Sequence, residues 1–268
     1  MTILLPEILA IALYLLASAL LTVTLMRGNG ATSRRTQVIM IALAAVIIHG
    51  GLLYTSLLTP EGLILGIFHA ASLVAVTTAL LLLLATFVEP VENLGIAVFQ
   101  VAAVSIVLTM VYPAPHIITS ASSWQLDSHI LTSLLAYSIL GLAVLQAILH
   151  AIQDRHLRNR SPGGFIRALP PLQTMESLLF QMIATGFALL TLALVTGALF
   201  LEDIFAQHMV HKTRLSIIAW GVFAILLWGR WRFGWRGRTA IRWTIGGFIF
   251  LMLAYFGSKF VLELLLTK

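Results

Sequence analysis

Cysteine is absent from the 268 residues. That absence excludes disulfides, thiol redox chemistry, Cys-ligated zinc, iron–sulfur clusters and a Cys-x-x-Cys-His site for covalent haem attachment on this chain. Charge is scarce as well: 10% of the residues are Asp, Glu, Lys or Arg, where a soluble domain carries about a quarter. A water-soluble enzyme and a disordered segment are both excluded by that figure. Acidic residues number ten against sixteen Lys and Arg, a net charge of +6. No internal repeat is visible, so the repeat signature of many secondary transporters is missing.

What is present is apolar, with 60% hydrophobic residues and a mean hydropathy of +1.01. A membrane-spanning helix needs about 20 apolar residues, since about 30 Å of hydrocarbon is crossed at about 1.5 Å per residue. Eight segments qualify, at about 3–26, 37–58, 63–88, 95–112, 129–152, 174–201, 213–229 and 240–264. The expected fold is all-α: a polytopic membrane helix bundle of about eight transmembrane helices, one integral membrane domain over residues 1–268. The first segment lacks a basic leader, carries Glu7 and is too long for the apolar stretch of a signal peptide, so it is expected to remain as a helix.

The bases sort by connection. Arg27, Arg34 and Arg35 follow the first span, Arg155, Arg158, Arg160 and Arg167 follow the fifth, and Arg230, Arg232, Arg236, Arg238 and Arg242 lie between the seventh and eighth. Twelve of the sixteen bases thus fall on connections that an eight-span count puts on one face, and basic residues are retained on the cytoplasmic side. Both termini are expected to face outward, to the periplasm. In a chain of this kind the positive charge orients helices and implies no nucleic-acid partner; the partner it implies is the lipid bilayer. Trp228, Trp231, Trp235 and Trp243 bracket the last Arg-rich turn as an interfacial aromatic belt would. Glu176, just after Thr174, reads as an acid in the first turn of a helix started by Pro170-Pro171.

The eight histidines are the most informative polar set. His49 falls near the middle of the second span, where an imidazole must find a partner or cost several kcal/mol; a ligand role and a hydrogen-bonded core role both remain open. His69 lies below the outer boundary of the third span, with Ser72, Thr77 and Thr78 as ordinary partners. His129 opens the fifth span directly after Asp127-Ser128, which reads as a helix cap. His208 and His211 precede the seventh span at a spacing that shares a helix face. His116 sits in the stiff Pro113-Ala114-Pro115 loop, a candidate lid with only a weak metal signal. His150 and His156 lie at the inner end of the fifth span and read as structural.

Leu126-Asp127-Ser128-His129, with Ser133 and Ala136-Tyr137-Ser138 after it, resembles the histidine-led span of the CcsA/ResC/CcmC-type cytochrome c assembly proteins. The stretch from Gln181 to Thr191 and Thr196-Gly197-Ala198, and that from His211-Lys212-Thr213 to Trp228-Gly229, resemble the family's following helices. Gly234-Trp235-Arg236-Gly237-Arg238 and Leu253-Ala254-Tyr255-Phe256-Gly257-Ser258 are similar to its YpjD-type inner-membrane subfamily. The assembly-like region covers about 63–265.

The resemblance implies an inner-membrane, multi-pass protein that binds haem b through histidine. His129 is then the leading axial ligand to the haem iron, with His49, His69 or His211 as the candidate second ligand, and Lys212 and Arg214 as partners for the propionates. Residues 202–210 hold no tryptophan and residues 260–268 no histidine, where the family carries its Trp-rich loop and a second outer histidine. The expectation is therefore haem binding or handling connected with cytochrome c biogenesis, without ligation activity and without an enzymatic role. Haem and other cytochrome assembly or membrane proteins are the implied partners. The alternative is a non-haem accessory subunit or a small-solute or ion transporter that keeps the fold.

Overall fold

The computed structural model describes residues 4–27, 32–59, 62–64, 66–112, 117–118, 124–159, 163–200 and 210–260. Eight helices among them are long and apolar enough to cross a membrane. They are α1 (Leu4–Arg27), α2 (Thr32–Leu57), α3 (Ile67–Ala85), α4 (Gly95–Val111), α5 (Trp124–Arg158), α6 (Leu172–Phe200), α7 (Val210–Phe233) and α8 (Gly237–Met252). The last continues through a π-helical turn, Leu253–Gly257, into Ser258–Phe260. Between α2 and α3, β1 (Leu58–Thr59) pairs antiparallel with β2 (Gly62–Ile64), which pairs with β3 (Ile117–Ile118). The eight expected spans are all present, as helices of a polytopic bundle.

The described residues form two compact units. The first comprises Met1–Ala121 with Ser161–Pro170, the second Ser122–Arg160 with Pro171–Lys268. In the first, α1 packs on α2 and α4, and α3 packs on α2 and α4, a closed ring of four helices. The second repeats that order, with α5 on α6 and α8, and α7 on α6 and α8.

Both rings are built on stripes of small and apolar residues at helical spacing. Ala10, Tyr14, Ala17 and Leu21 on α1, and Val38, Ala42, Ala45 and His49 on α2, are buried along one face each. In the second unit Ala136, Leu140, Ala143 and Ala147 form the same pattern on α5. A Cβ on Gly186 of α6 would stand 2.6 Å from Leu140 Cγ, so only glycine permits that approach of α5 and α6. Close backbone approach replaces the hydrophobic effect as the source of packing energy where lipid surrounds the helices. Large apolar residues such as Leu5, Ile47, Val88 and Leu199 point outward instead.

Two boundaries differ from the sequence expectation. The fifth helix begins at Trp124, so Asp127 and Ser128 lie inside its first turns and not ahead of it; the Ser128 hydroxyl donates to Gln125 O at 2.8 Å. The third begins at Ile67 because residues 62–64 pair as a strand. His69 is thereby the third residue of α3.

Candidate functional site

His49 sits at the centre of the first ring and is 1% exposed. Its Nδ1 lies 3.3 Å from Tyr14 Oη on α1, and its Nε2 lies 2.7 Å from Ser72 Oγ on α3. Ser105 of α4 donates to Ala102 O at 2.8 Å, and its Oγ lies 3.3 Å from Ser72 Oγ. The Tyr14 and His49 rings meet edge to face with centroids 5.8 Å apart. One imidazole thus ties all four helices, and both of its nitrogens are engaged. His69 is buried one turn before Ser72 on α3.

His129 occupies a different setting, in the outer half of the second unit if the arginines lie inside. It is half-buried on α5 against α6, with Nδ1 2.9 Å from Ala193 O and 3.4 Å from Thr196 Oγ1. A carbonyl oxygen only accepts, so Nδ1 carries the proton and Nε2 keeps its lone pair. The ring lies over Gly197, where an added Cβ would stand 3.0 Å from Cε1 and 3.3 Å from Nδ1. The Thr196 hydroxyl itself donates back to Leu192 O and Ala193 O. Nearby on the same two helices, Trp124 packs edge-on against Phe200 with centroids 5.3 Å apart. An imidazole whose Nδ1–H is fixed to a backbone carbonyl is the arrangement that orients a histidine for a metal through Nε2.

The remaining histidines separate from this position. His150 is buried on α5, and His156 is exposed with Nδ1 donating to Ile152 O at 2.9 Å. His211 is the second residue of α7, its side chain outside the described residues; His116 and His208 also lie outside them. No group of three or more metal-ligating side chains occurs among the described residues. Arg214 is exposed on the second turn of α7, and Lys212 has partners of its own.

Two features escaped the sequence reading. Glu176 does not serve as a first-turn acid: its carboxylate accepts from Arg230 Nη1 at 2.7 Å and from Gly237 N at 3.2 Å, with Arg236 Nε 3.6 Å away. Asp154 pairs with Arg158 at 3.1 Å and Arg238 at 3.8 Å. The turn between α7 and α8, with Gly234 and Gly237 at positive φ, is thereby tied to α5 and α6. Of the four tryptophans there, Trp228 and Trp231 are exposed as an interfacial belt requires, while Trp235 meets Trp243 at a tilt with centroids 5.5 Å apart and is part of the packing. The second feature joins two motifs: the Tyr137 hydroxyl donates to Leu251 O, and its ring meets Tyr255 and Phe256 of the π-helical turn.

Eight helices among the described residues long and apolar enough to cross a membrane, with a polar centre buried in the first ring, define a multi-pass membrane protein. The chain belongs to the cytochrome c assembly protein family, whose model matches residues 38–266. It is 31% identical over 260 residues to the inner membrane protein YpjD of Escherichia coli strain K12, covering 96% of this chain and 98% of that protein. An uncharacterized 28.8 kDa protein of Azospirillum brasilense is 33% identical over 156 residues, 58% of each chain. The cytochrome c biogenesis protein CcsA of Guillardia theta is 26% identical over 188 residues, 64% of this chain and 62% of that one. No solved structure matches the chain.

Proposed function

We propose that the protein is a haem-handling component of a bacterial inner membrane that binds haem b through His129 and does not itself attach it to a polypeptide. The observation that carries the reading is the bond from His129 Nδ1–H to Ala193 O, which fixes the ring against α6 and leaves Nε2 without a partner among the described residues. That donor fits a haem: a neutral imidazole is an ordinary axial ligand, and the carbonyl behind it raises its basicity. Bound haem supplies a redox-active iron whose potential follows its axial ligands and their surroundings.

Membership of the cytochrome c assembly family and the inner-membrane name of the E. coli relative support the location and the cofactor class. His211 is the second ligand in this reading, since it stands in the first turn of a helix of the same ring. His69 remains the alternative. His49 is assigned a structural part because both its nitrogens are taken up by Tyr14 and Ser72. The Arg-rich connections face the cytoplasm and the termini the periplasm.

The test is an absorption spectrum of protein purified in detergent after haem-replete expression, oxidised and dithionite-reduced. Reduced Soret and α bands of a b-type haem are expected in the wild type, in His150→Ala and in His156→Ala, and are lost or shifted in His129→Ala. A wild-type protein without haem would favour the non-haem alternative, and an unaltered His129→Ala spectrum would remove this ligand.

A further inference from the structure

Where α1 ends and α2 begins, the first unit holds a cavity of about 230 Å³, lined by Leu20, Val23 and Thr24 of α1 and by Arg34, Gln37 and Val38 of α2. It exceeds the roughly 150 Å³ in which an engineered protein cavity takes up benzene. Leu20, Val23 and Val38 make an apolar wall, and Arg34 and Gln37 make a polar mouth. The Thr24 hydroxyl is spent on Leu20 O at 2.7 Å, so Arg34 and Gln37 are the donors facing an occupant.

The two adjacent arginines differ in what they meet. Arg35 donates to Glu92 at 2.7 Å and to Thr86 O at 2.6 Å, so its charge is compensated within the unit. Arg34 is exposed and has no carboxylate partner among the described residues. The cavity occupies the last two turns of a 24-residue helix, about 36 Å long against a hydrocarbon core of about 30 Å. Its polar mouth is therefore at headgroup level and its apolar wall at the level of the first acyl carbons.

We propose that this cavity binds one anionic phospholipid, with the phosphate on Arg34 and Gln37 and the upper part of one acyl chain along Leu20, Val23 and Val38. A guanidinium offers two parallel N–H groups to phosphate oxygens. With Arg35 neutralised by Glu92, the Arg34 guanidinium is the charge at the mouth, and a cation there disfavours a headgroup carrying its own ammonium. A free phosphate would satisfy Arg34 and leave the apolar wall uncovered.

The probe is phosphatidylglycerol, titrated into delipidated protein in detergent and followed by native mass spectrometry, with phosphatidylcholine and glycerol 3-phosphate in parallel. Wild-type protein is expected to retain one phosphatidylglycerol in preference to phosphatidylcholine. Arg34→Gln weakens that binding about five-fold, the contribution of one basic residue at a membrane surface, while Arg232→Gln on the second unit leaves it unchanged. Val23→Phe fills the apolar wall with the charge intact and weakens it too. Unaltered binding in both Arg34→Gln and Val23→Phe would overturn the site. Competition by glycerol 3-phosphate as effective as that by the lipid would reduce it to a phosphate site and overturn the lipid assignment.

Discussion

His129 and His49 are both histidines on apolar helices, and their hydrogen bonds separate them. His129 spends one nitrogen on a carbonyl and keeps the other, whereas His49 spends both. Gly197 is what lets the His129 ring lie against α6, so Gly197→Ala is expected to displace the ring by a few tenths of an ångström. Alanine is the better helix former by about 1 kcal/mol, and the fold should survive. The expected outcome is a lower haem affinity in titration with an apparent Tm close to wild type; unchanged affinity would mean that the ring does not hold the ligand. Around His49 the expectation is the reverse. Ser72→Ala strands Nε2 in the interior at a cost of about 1–3 kcal/mol, read as a lower apparent Tm, while the haem spectrum stays as in the wild type. A stability gain in His49→Leu would show that the network is tolerated and not needed.

At the scale of helices, hydropathy carried the count and composition could not place the ends. The boundary that composition did place was the start of α6, at Leu172 directly after Pro170-Pro171, because proline acts through its own backbone. Asp127-Ser128 looked like a cap because both residue types favour that position, yet α5 runs through them from Trp124 to Arg158, about 50 Å. Glu176 was missed for a related reason: its partners Arg230 and Gly237 are more than fifty residues away, and no local pattern records a tertiary ion pair. Arg35 and Glu92 are the same case in the first unit, and their pairing brings the acidic connection after α3 to the Arg-rich end of α2. Glu176→Gln is expected to loosen the α7–α8 turn. Faster hydrogen exchange at residues 234–238 and a lower apparent Tm would be the readout, and exchange equal to wild type would show that the pair contributes nothing to holding the turn.

At the scale of the molecule, charge arithmetic gave an orientation that the helices alone cannot. A reporter active only in the cytoplasm, fused after Lys268, is expected to be silent, and one fused within the α5–α6 connection to be active; the opposite pattern would invert the topology. The arrangement of each unit as a closed ring of four helices was not legible, because ring closure depends on which stripes of alanine and glycine face each other. The ligand candidates were legible as histidines at given depths, but not as a set: His49 and His69 belong to one ring and His129 and His211 to the other. The sequence offered His129 as a candidate through a resemblance to the family's motifs; what it could not mark was the Ala193 carbonyl that holds the ring. The most direct test of the central claim is therefore chemical rescue. His129→Gly, purified without haem and then titrated with haem in the presence and absence of imidazole, is expected to recover the wild-type reduced bands only when imidazole is added. Wild-type bands without imidazole would contradict ligation by His129.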